Sequence, residues 1–207
     1  MNATITDVQE GAAMKSKKVS IIFHSVCGNN YIIANEFFKE FKKLGADVNV
    51  FRVEDANYEF LSGQFEVAGE FKKEIKNIDI AKVENVMGSD IIILGSPTYY
   101  GNVSGAMKAF MDSFSPCWPD AKLWGKKLFA FSTCANADGG GDMCLNAINI
   151  FAQHMGMFVV PVPSNLVQGK SNPAYGLLHY VGDMSDNRPD EKFIQTVKAM
   201  TERLMNL

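Results

Sequence analysis

The chain has 207 residues, a formal net charge of −3 at pH 7 and a pI near 5.6. This length suits one domain with a full hydrophobic core, and the mild acidity excludes the basic face that nucleic-acid binding requires. We therefore expect small molecules, or further copies of the chain, as partners.

Residues 1–17 carry no regular apolar pattern and are predicted to be a flexible N-terminal extension. They lack the apolar stretch of a secretory signal, and no apolar run in the chain approaches the ~18 residues of a membrane span. The four cysteines, Cys27, Cys117, Cys134 and Cys144, form no C-x-x-C pair, so neither a zinc clip nor a dithiol motif is indicated. The sequence thus predicts a cytoplasmic location, no membrane partner and no metal site.

Strands and helices alternate from residue 18 onward. Short apolar, β-branched runs predict strands at residues 19–23, 48–53, 90–94, 127–131 and 157–160. Apolar residues at helical spacing predict helices after residue 30, from Ser104, over 143–155 and after Pro189. Residues 54–82 fit an insertion or a broken helix, and residues 161–187 read as loop. This alternation predicts one doubly wound α/β domain over residues 18–207, with a five-stranded parallel sheet and helices on both faces.

Ligands bind such sheets beyond the carboxyl ends of the strands. The first loop at this edge consists of Ser25, Val26, Cys27, Gly28, Asn29 and Asn30. A phosphate here would meet the free amides and partial positive charge of the next helix. No lysine follows as in a nucleoside-triphosphate loop, G-x-G-x-x-G is absent, and Ile33 stands where a cysteine phosphatase needs arginine. The loop fits a lone phosphomonoester such as that of FMN, and equally a turn whose Ser and Asn cap the helix.

Two further loops follow at the same edge. The second consists of Pro97, Thr98, Tyr99, Tyr100, Gly101 and Asn102. Its adjacent tyrosines offer flat surfaces for an aromatic ring, and Thr98 can hydrogen-bond the ring's heteroatoms. The third is glycine-rich and contains Ser132, Thr133, Cys134, Ala135, Asn136 and Gly139. Its backbone amides suit a negative charge on a reduced flavin, although the pattern alone also fits a surface loop.

Together these loops resemble the flavodoxin-like family, most closely the NAD(P)H:quinone oxidoreductases of the WrbA type and related NADPH-dependent FMN reductases. The most specific stretch is G-S-P-T-Y-Y-G-N-V-S-G-A-M-K-A-F-M-D at residues 95–112. It follows the family pattern P-T-x-[FY]-G-N-[MV]-x-G-x-[ML]-[KR]-x-F-[LM]-D. F-S-T at residues 131–133, the triple glycine and H-M-G-M at residues 154–157 support the likeness. It implies the strand order 2-1-3-4-5.

The resemblance implies FMN as cofactor, with its phosphate in the first loop and its ring against Thr98, Tyr99 and Tyr100. The third loop and His154 would add flavin contacts, and Tyr100 and Trp118 would form an aromatic wall that holds the acceptor. Trp118 equally fits an anchor at a subunit contact, because family members are usually homodimers or homotetramers. Two departures stand out: Cys27 replaces an aromatic residue that contacts the nicotinamide nucleotide, and Met155 replaces a histidine.

We therefore predict an FMN-dependent oxidoreductase that transfers two electrons from NAD(P)H to a quinone or similar flat acceptor by a ping-pong mechanism. The flavin performs the redox chemistry, and no side chain is assigned as acid or base. The alternative is a flavodoxin-type electron carrier that docks to protein partners and has no NAD(P)H activity of its own. The low net charge argues against charge-steered docking. A scaffold without flavin is a third reading.

Overall fold

The computed structural model describes residues 16–207, and most of the predicted N-terminal extension lies outside them. A parallel sheet in the order β2-β1-β3-β5-β6 forms its centre. Two further strands join it, since β4 pairs antiparallel with the end of β3 and β7 pairs parallel with β5. The strands are β1 (Lys18–Phe23), β2 (Asp47–Arg52), β3 (Ile91–Tyr99), β4 (Asn102–Val103), β5 (Lys127–Cys134), β6 (Phe158–Val159) and β7 (Leu177–Tyr180).

Helices cover both faces of this sheet. They are α1 (Asn29–Lys43), α2 (Tyr58–Ser62), α3 (Lys72–Lys76), α4 (Glu84–Met87), α5 (Gly105–Asp112), α6 (Gly141–His154) and α7 (Glu191–Met205). Short 3-10 turns lie at Glu66–Gly69, Ser115–Cys117 and Ala137–Gly139. The predicted doubly wound α/β architecture and its strand order are confirmed by this arrangement.

The central strands are continuous apolar runs because both of their faces are buried. In β1, Ile21 and Phe23 face α1 and α7, whereas Ile22 between them faces α5 and α6. A strand buried on one face only would have alternated polar and apolar residues. Each face therefore has its own core, and the sheet separates the two.

The fifth strand position is split between β6 and β7, so the predicted five strands become seven with β4. The start of β5 pairs with β6, and Phe131–Cys134 at its end pairs with β7. Residues 160–176 lie between the two half-strands. The loop predicted over residues 161–187 was therefore wrong at β7, because its four-residue sequence L-L-H-Y is too short to stand out from its neighbours.

Residues 54–82 form short helical pieces rather than one helix. α2, the turn Glu66–Gly69 and α3 succeed one another, and Arg52 then pairs with Ile80 in an isolated parallel bridge. This segment crosses the carboxyl edge of the sheet on its way from β2 to β3. That position brings its side chains to the site described below.

Gly95 allows a close approach between β3 and β5. It pairs directly with Phe131, and a Cβ on Gly95 would overlap the Phe131 ring. That ring is fully buried and packs against Phe37 of α1 at a centroid distance of 5.8 Å. Glycine at this position therefore lets a large ring occupy the core directly beside the sheet backbone.

We expect Gly95→Ala to lower the free energy of unfolding by about 1–3 kcal/mol, the usual cost of overpacking a core. Gly69→Ala is the matched control, because no atom lies within 4 Å of its added Cβ. Urea unfolding of both variants measures the difference. In the double variant Gly95→Ala/Phe131→Val the two losses should be less than additive; full additivity would contradict the contact.

Candidate functional site

A cavity of about 470 Å³ opens at the carboxyl edge of the sheet. Its volume falls in the range of ligand pockets, about 300–1,000 Å³. All three predicted loops contribute to its lining, through Ser25, Val26, Cys27, Asn29, Asn30, Pro97, Thr98, Tyr99, Tyr100, Thr133, Cys134 and Ala135. Parallel strands bring these residues together because their carboxyl ends meet at one edge.

The first loop leaves the N-terminus of α1 without a side-chain cap. Gly28 is the N-cap at φ +93°, and its N–H donates to Ser25 Oγ at 3.2 Å. The two asparagine side chains are engaged elsewhere: Asn30 Nδ2 donates to the His24 carbonyl and Asn29 Nδ2 to that of Ser185. Capping therefore does not account for these residues, and the first-turn amides stay free of side-chain acceptors. Such a helix end favours an anionic group.

Buried acceptors without partners also lie in this loop. Asn29 Oδ1 and Asn30 Oδ1 have no hydrogen-bond partner, and both residues line the cavity. A buried carbonyl oxygen without a donor costs free energy. The loop thus combines free amide donors with acceptors that suit hydroxyl groups.

The second loop begins inside β3, which extends to Tyr99. Burial raises the pKa of Tyr99 to about 12, with Cys27 and Asp55 adding smaller effects. Tyr100 has φ +53° and a fully exposed side chain. A non-glycine residue in this strained backbone region often marks a functional position. Gly101 and Asn102 only turn the chain into β4 and do not line the cavity.

The third loop contributes its beginning rather than its glycines. Because β5 continues to Cys134, the lining residues Thr133, Cys134 and Ala135 form the end of a strand and the residue that follows it. Ser132 is buried below them and hydrogen-bonds Thr98 Oγ1 at 3.0 Å. Asn136 accepts from the Asp138 amide, and neither it nor Gly139 reaches the cavity. The expected glycine contribution is therefore not seen in the lining.

Trp118 and His154 do not line the cavity of this chain. Trp118 follows the 3-10 turn after α5, and His154 is the last residue of α6. Both helices start at the carboxyl edge and run towards the opposite edge, and both side chains are exposed. The spacing of sequence motifs suggested these two residues as candidates, but it does not indicate at which edge of the sheet they lie.

Six lining residues were not predicted. Two come from the segment after β2 and four from the chain after β7: Leu61, Phe65, Val181, Gly182, Asp183 and Ser185. The Gly-Asp pair directly after an apolar run is a turn signal that could have revealed the strand β7 and its loop. The short helices of the first segment offer no such signal.

His24 forms a buried hydrogen bond with Asp55 that the sequence did not indicate. His24 Nε2 donates to Asp55 Oδ2 at 3.0 Å, and its ring meets Tyr99 edge-on at 6.4 Å. The hydrogen bond lowers the pKa of Asp55, against the opposing effect of burial. The other ring nitrogen of His24, Nδ1, is buried without a partner. The His24–Asp55 contact connects the residue after β1 with the segment after β2, next to the Tyr99 ring.

Residues 16–207 contain no cluster of three or more His, Cys, Asp or Glu side chains arranged for a metal ion. Over the same residues, none of the helices is both long and apolar enough to traverse a bilayer.

Comparison with known proteins identifies the family. Residues 18–171 match the family described as NADPH-dependent FMN reductase. The chain belongs to this family. An NAD(P)H dehydrogenase (quinone) of Archaeoglobus fulgidus is 27% identical over 187 residues, covering 90% of this chain and 95% of that protein. One from Afipia carboxidovorans is 32% identical over 143 residues, 69% of each.

Solved structures share the fold of this FMN reductase family member. Flavodoxin 1 from Bacillus cereus superposes with a TM-score of 0.64 at 17% identity, covering 92% of this chain and 98% of that one. The flavodoxin, WrbA-like protein from Agrobacterium tumefaciens gives 0.59 at 16% identity, covering 92% and 96%. The predicted flavodoxin-like fold and family are thus confirmed. So is the predicted class of enzyme, an FMN-dependent NAD(P)H oxidoreductase.

Gly28 offers a test of how tightly the first loop is packed. An alanine there adds the strain of φ +93° and places its Cβ 2.5 Å from Phe71 Cδ2. Gly45→Ala is the matched control, with φ +79° and no atom within 4 Å of the Cβ. We expect the control to lose about 1 kcal/mol of unfolding free energy from backbone strain, and Gly28→Ala to lose clearly more. Equal losses in denaturant unfolding would show that the Phe71 ring moves aside freely.

Proposed function

We propose that this family member holds FMN in the cavity at the carboxyl edge and passes two electrons from NAD(P)H to a quinone or similar flat acceptor. One observation carries the proposal: the same cavity has an uncapped helix N-terminus at one end and adjacent tyrosines at another. The curated relatives, named NAD(P)H dehydrogenase (quinone), support the choice of acceptor class.

The first loop fits the phosphate and ribityl parts of FMN. The free amides at the start of α1 suit the phosphate dianion, since the helix end carries about +0.5 charge. The unpaired carbonyl oxygens of Asn29 and Asn30 suit ribityl hydroxyl donors. Gly28 keeps the loop compact, because the Phe71 ring occupies the space of a side chain there. These residues would bind and orient the cofactor.

The apolar part of the cavity fits the isoalloxazine ring. Tyr99 and Tyr100 supply aromatic surface on one segment, and Leu61 and Phe65 supply apolar surface on another. Thr98 is held by the Ser132 hydroxyl, which itself donates to the Ser96 carbonyl at 2.7 Å. That chain of hydrogen bonds fixes a polar group at the ring edge. Bound FMN supplies the hydride-accepting and electron-donating chemistry, while these residues position it and exclude water.

The room available in the cavity supports the proposed ping-pong order. A cavity of about 470 Å³ that holds a flavin leaves little space for two further rings. The nicotinamide and the acceptor would therefore use the open side beside Tyr100 in turn. Tyr100 is free to stack on either, because its side chain is fully exposed.

Trp118 and His154 belong to this proposal only through a second copy of the chain. Both are exposed and lie away from the cavity of their own chain. Any contact they make with flavin or acceptor would be in the site of another copy, as the predicted homodimer or homotetramer would allow. The oligomer and the cytoplasmic location stay predictions.

Absorbance spectroscopy tests the proposal directly. We expect the purified protein to show flavin bands, or to acquire them with added FMN, and to bleach on anaerobic addition of NADH or NADPH. Reoxidation by a quinone should then restore the bands, and initial rates should give parallel double-reciprocal lines. Flavin bands that persist until a chemical reductant is added would favour the electron carrier. No uptake of FMN would overturn the proposal.

Tyr100→Ala should raise the acceptor KM severalfold, since loss of one aromatic contact costs about 1 kcal/mol. FMN should stay bound, because Tyr99, Leu61 and Phe65 still line the ring site. The fold should be unaffected, because the truncated side chain is fully exposed. Tyr100→Phe, which keeps the ring, is the control and should behave as wild type. The same measurement on Trp118→Ala reports whether a second copy completes the acceptor site. Unchanged kinetics in Tyr100→Ala would remove this residue from the site.

A further inference from the structure

Arg188 joins three separate segments behind the first loop. Its Nη1 donates to the Cys27 carbonyl at 2.6 Å, and its Nη2 pairs with Glu70 Oε2 at 2.5 Å. The guanidinium also lies over the Phe71 ring, 5.4 Å from its centroid. Phe71 is the residue whose ring fills the space beside Gly28. Arg188 is thus connected to the start of α1 both by a hydrogen bond and through an aromatic ring.

The loop that carries Arg188 closes over the same helix end. Asn29 Nδ2 donates to the Ser185 carbonyl at 2.7 Å, and Ser185 lies in the strained left-handed region at φ +57°. Asp183 and Ser185 line the cavity. This loop lies beyond residues 18–171, the part of the chain that matches the family.

None of the described residues that line the cavity has a positively charged side chain. Among its lining residues, all within the described part of the chain, Asp183 is the only one with a charged side chain, and it is negative. An FMN phosphate would add about −1.5 to −2, against only about +0.5 from the helix end. Arg188 does not itself line the cavity, but its guanidinium contacts the carbonyl of Cys27, which does. The Arg188 charge also acts on the Cys27 thiol. Burial raises the pKa of this thiol, while the Ser185 hydrogen bond and the Arg188 charge lower it.

We propose that Arg188 is the positioning residue that makes this site select a phosphorylated flavin, FMN, over riboflavin. Its hydrogen bond fixes the Cys27 carbonyl just before the start of α1, and its guanidinium brings a positive charge that none of the described lining residues carries. Glu70 partly neutralises that charge. The inference rests on the proposed function, namely that the cavity holds FMN.

Two variants with opposite expected effects test this role. Dissociation constants of FMN and riboflavin are measured on flavin-free protein by fluorescence quenching. Arg188→Met should weaken FMN binding about tenfold, because a full charge near a phosphate dianion is lost, and change riboflavin binding less than twofold. Glu70→Gln should tighten FMN binding severalfold and leave riboflavin unchanged. In wild type, the preference for FMN should shrink as salt is raised.

Arg188→Lys is the conservative variant, and it should restore part of the FMN preference because it keeps the charge but not the planar fork. Equal weakening of FMN and riboflavin in Arg188→Met would overturn the inference and show a structural tie only. If Arg188→Met does not fold, the Glu70→Gln variant is the test. Unchanged or weaker FMN binding in that variant would contradict the role proposed for Arg188. Wild-type protein that binds neither flavin contradicts the proposed function itself, whereas normal FMN binding without the two opposite shifts contradicts only the role of Arg188.

Discussion

The parallel register of β1, β3 and β5 is the constraint on which the site depends. Phe23 pairs with Gly95 and Gly95 with Phe131, so the three strands run in register towards the carboxyl edge of the sheet. These strands are buried on both faces, and their backbone groups find partners mainly in the neighbouring strands of the sheet. A slip of one residue would turn the Phe131 ring to the other face of the sheet and separate it from Gly95. The close fit between that ring and the glycine therefore fixes which residues reach the cavity.

Much of this architecture could be predicted because its signals are local. A run such as Ile91–Leu94, apolar at every position, is typical of a strand with two buried faces. Ser104 was expected to start a helix, and its hydroxyl does accept from the Met107 amide. The three loops could be found because a parallel sheet brings the residues after its strands to one edge. Local patterns thus led to most of the cavity, together with the alternation that orders the strands.

The remaining features depend on contacts between distant residues. β7 is only four residues long, and it finds its pairing partner in β5, more than 40 residues earlier. His24 finds its partner Asp55 only after β1 and β2 pair, and Arg188 meets Cys27 across 161 positions. Trp118 and His154 are the converse case: a family likeness suggested contact with the acceptor and the flavin, and neither residue lines the cavity of its own chain. The lengths of α5 and α6 carry both residues to the other edge, and motif spacing holds no information on that distance.

The split fifth strand has a consequence for when the cavity forms during synthesis of the chain. The cavity acquires its last wall only when β7 has paired with β5 and the loop from Val181 to Arg188 has closed over α1. During synthesis, at about 5–20 residues per second, a nascent chain that has not passed residue 188 presents an open groove rather than a pocket. α7 then packs on α1, whose first turn forms part of that wall. If FMN binds in this cavity as proposed, its complete binding site would therefore exist only after residues 177–188 have been translated.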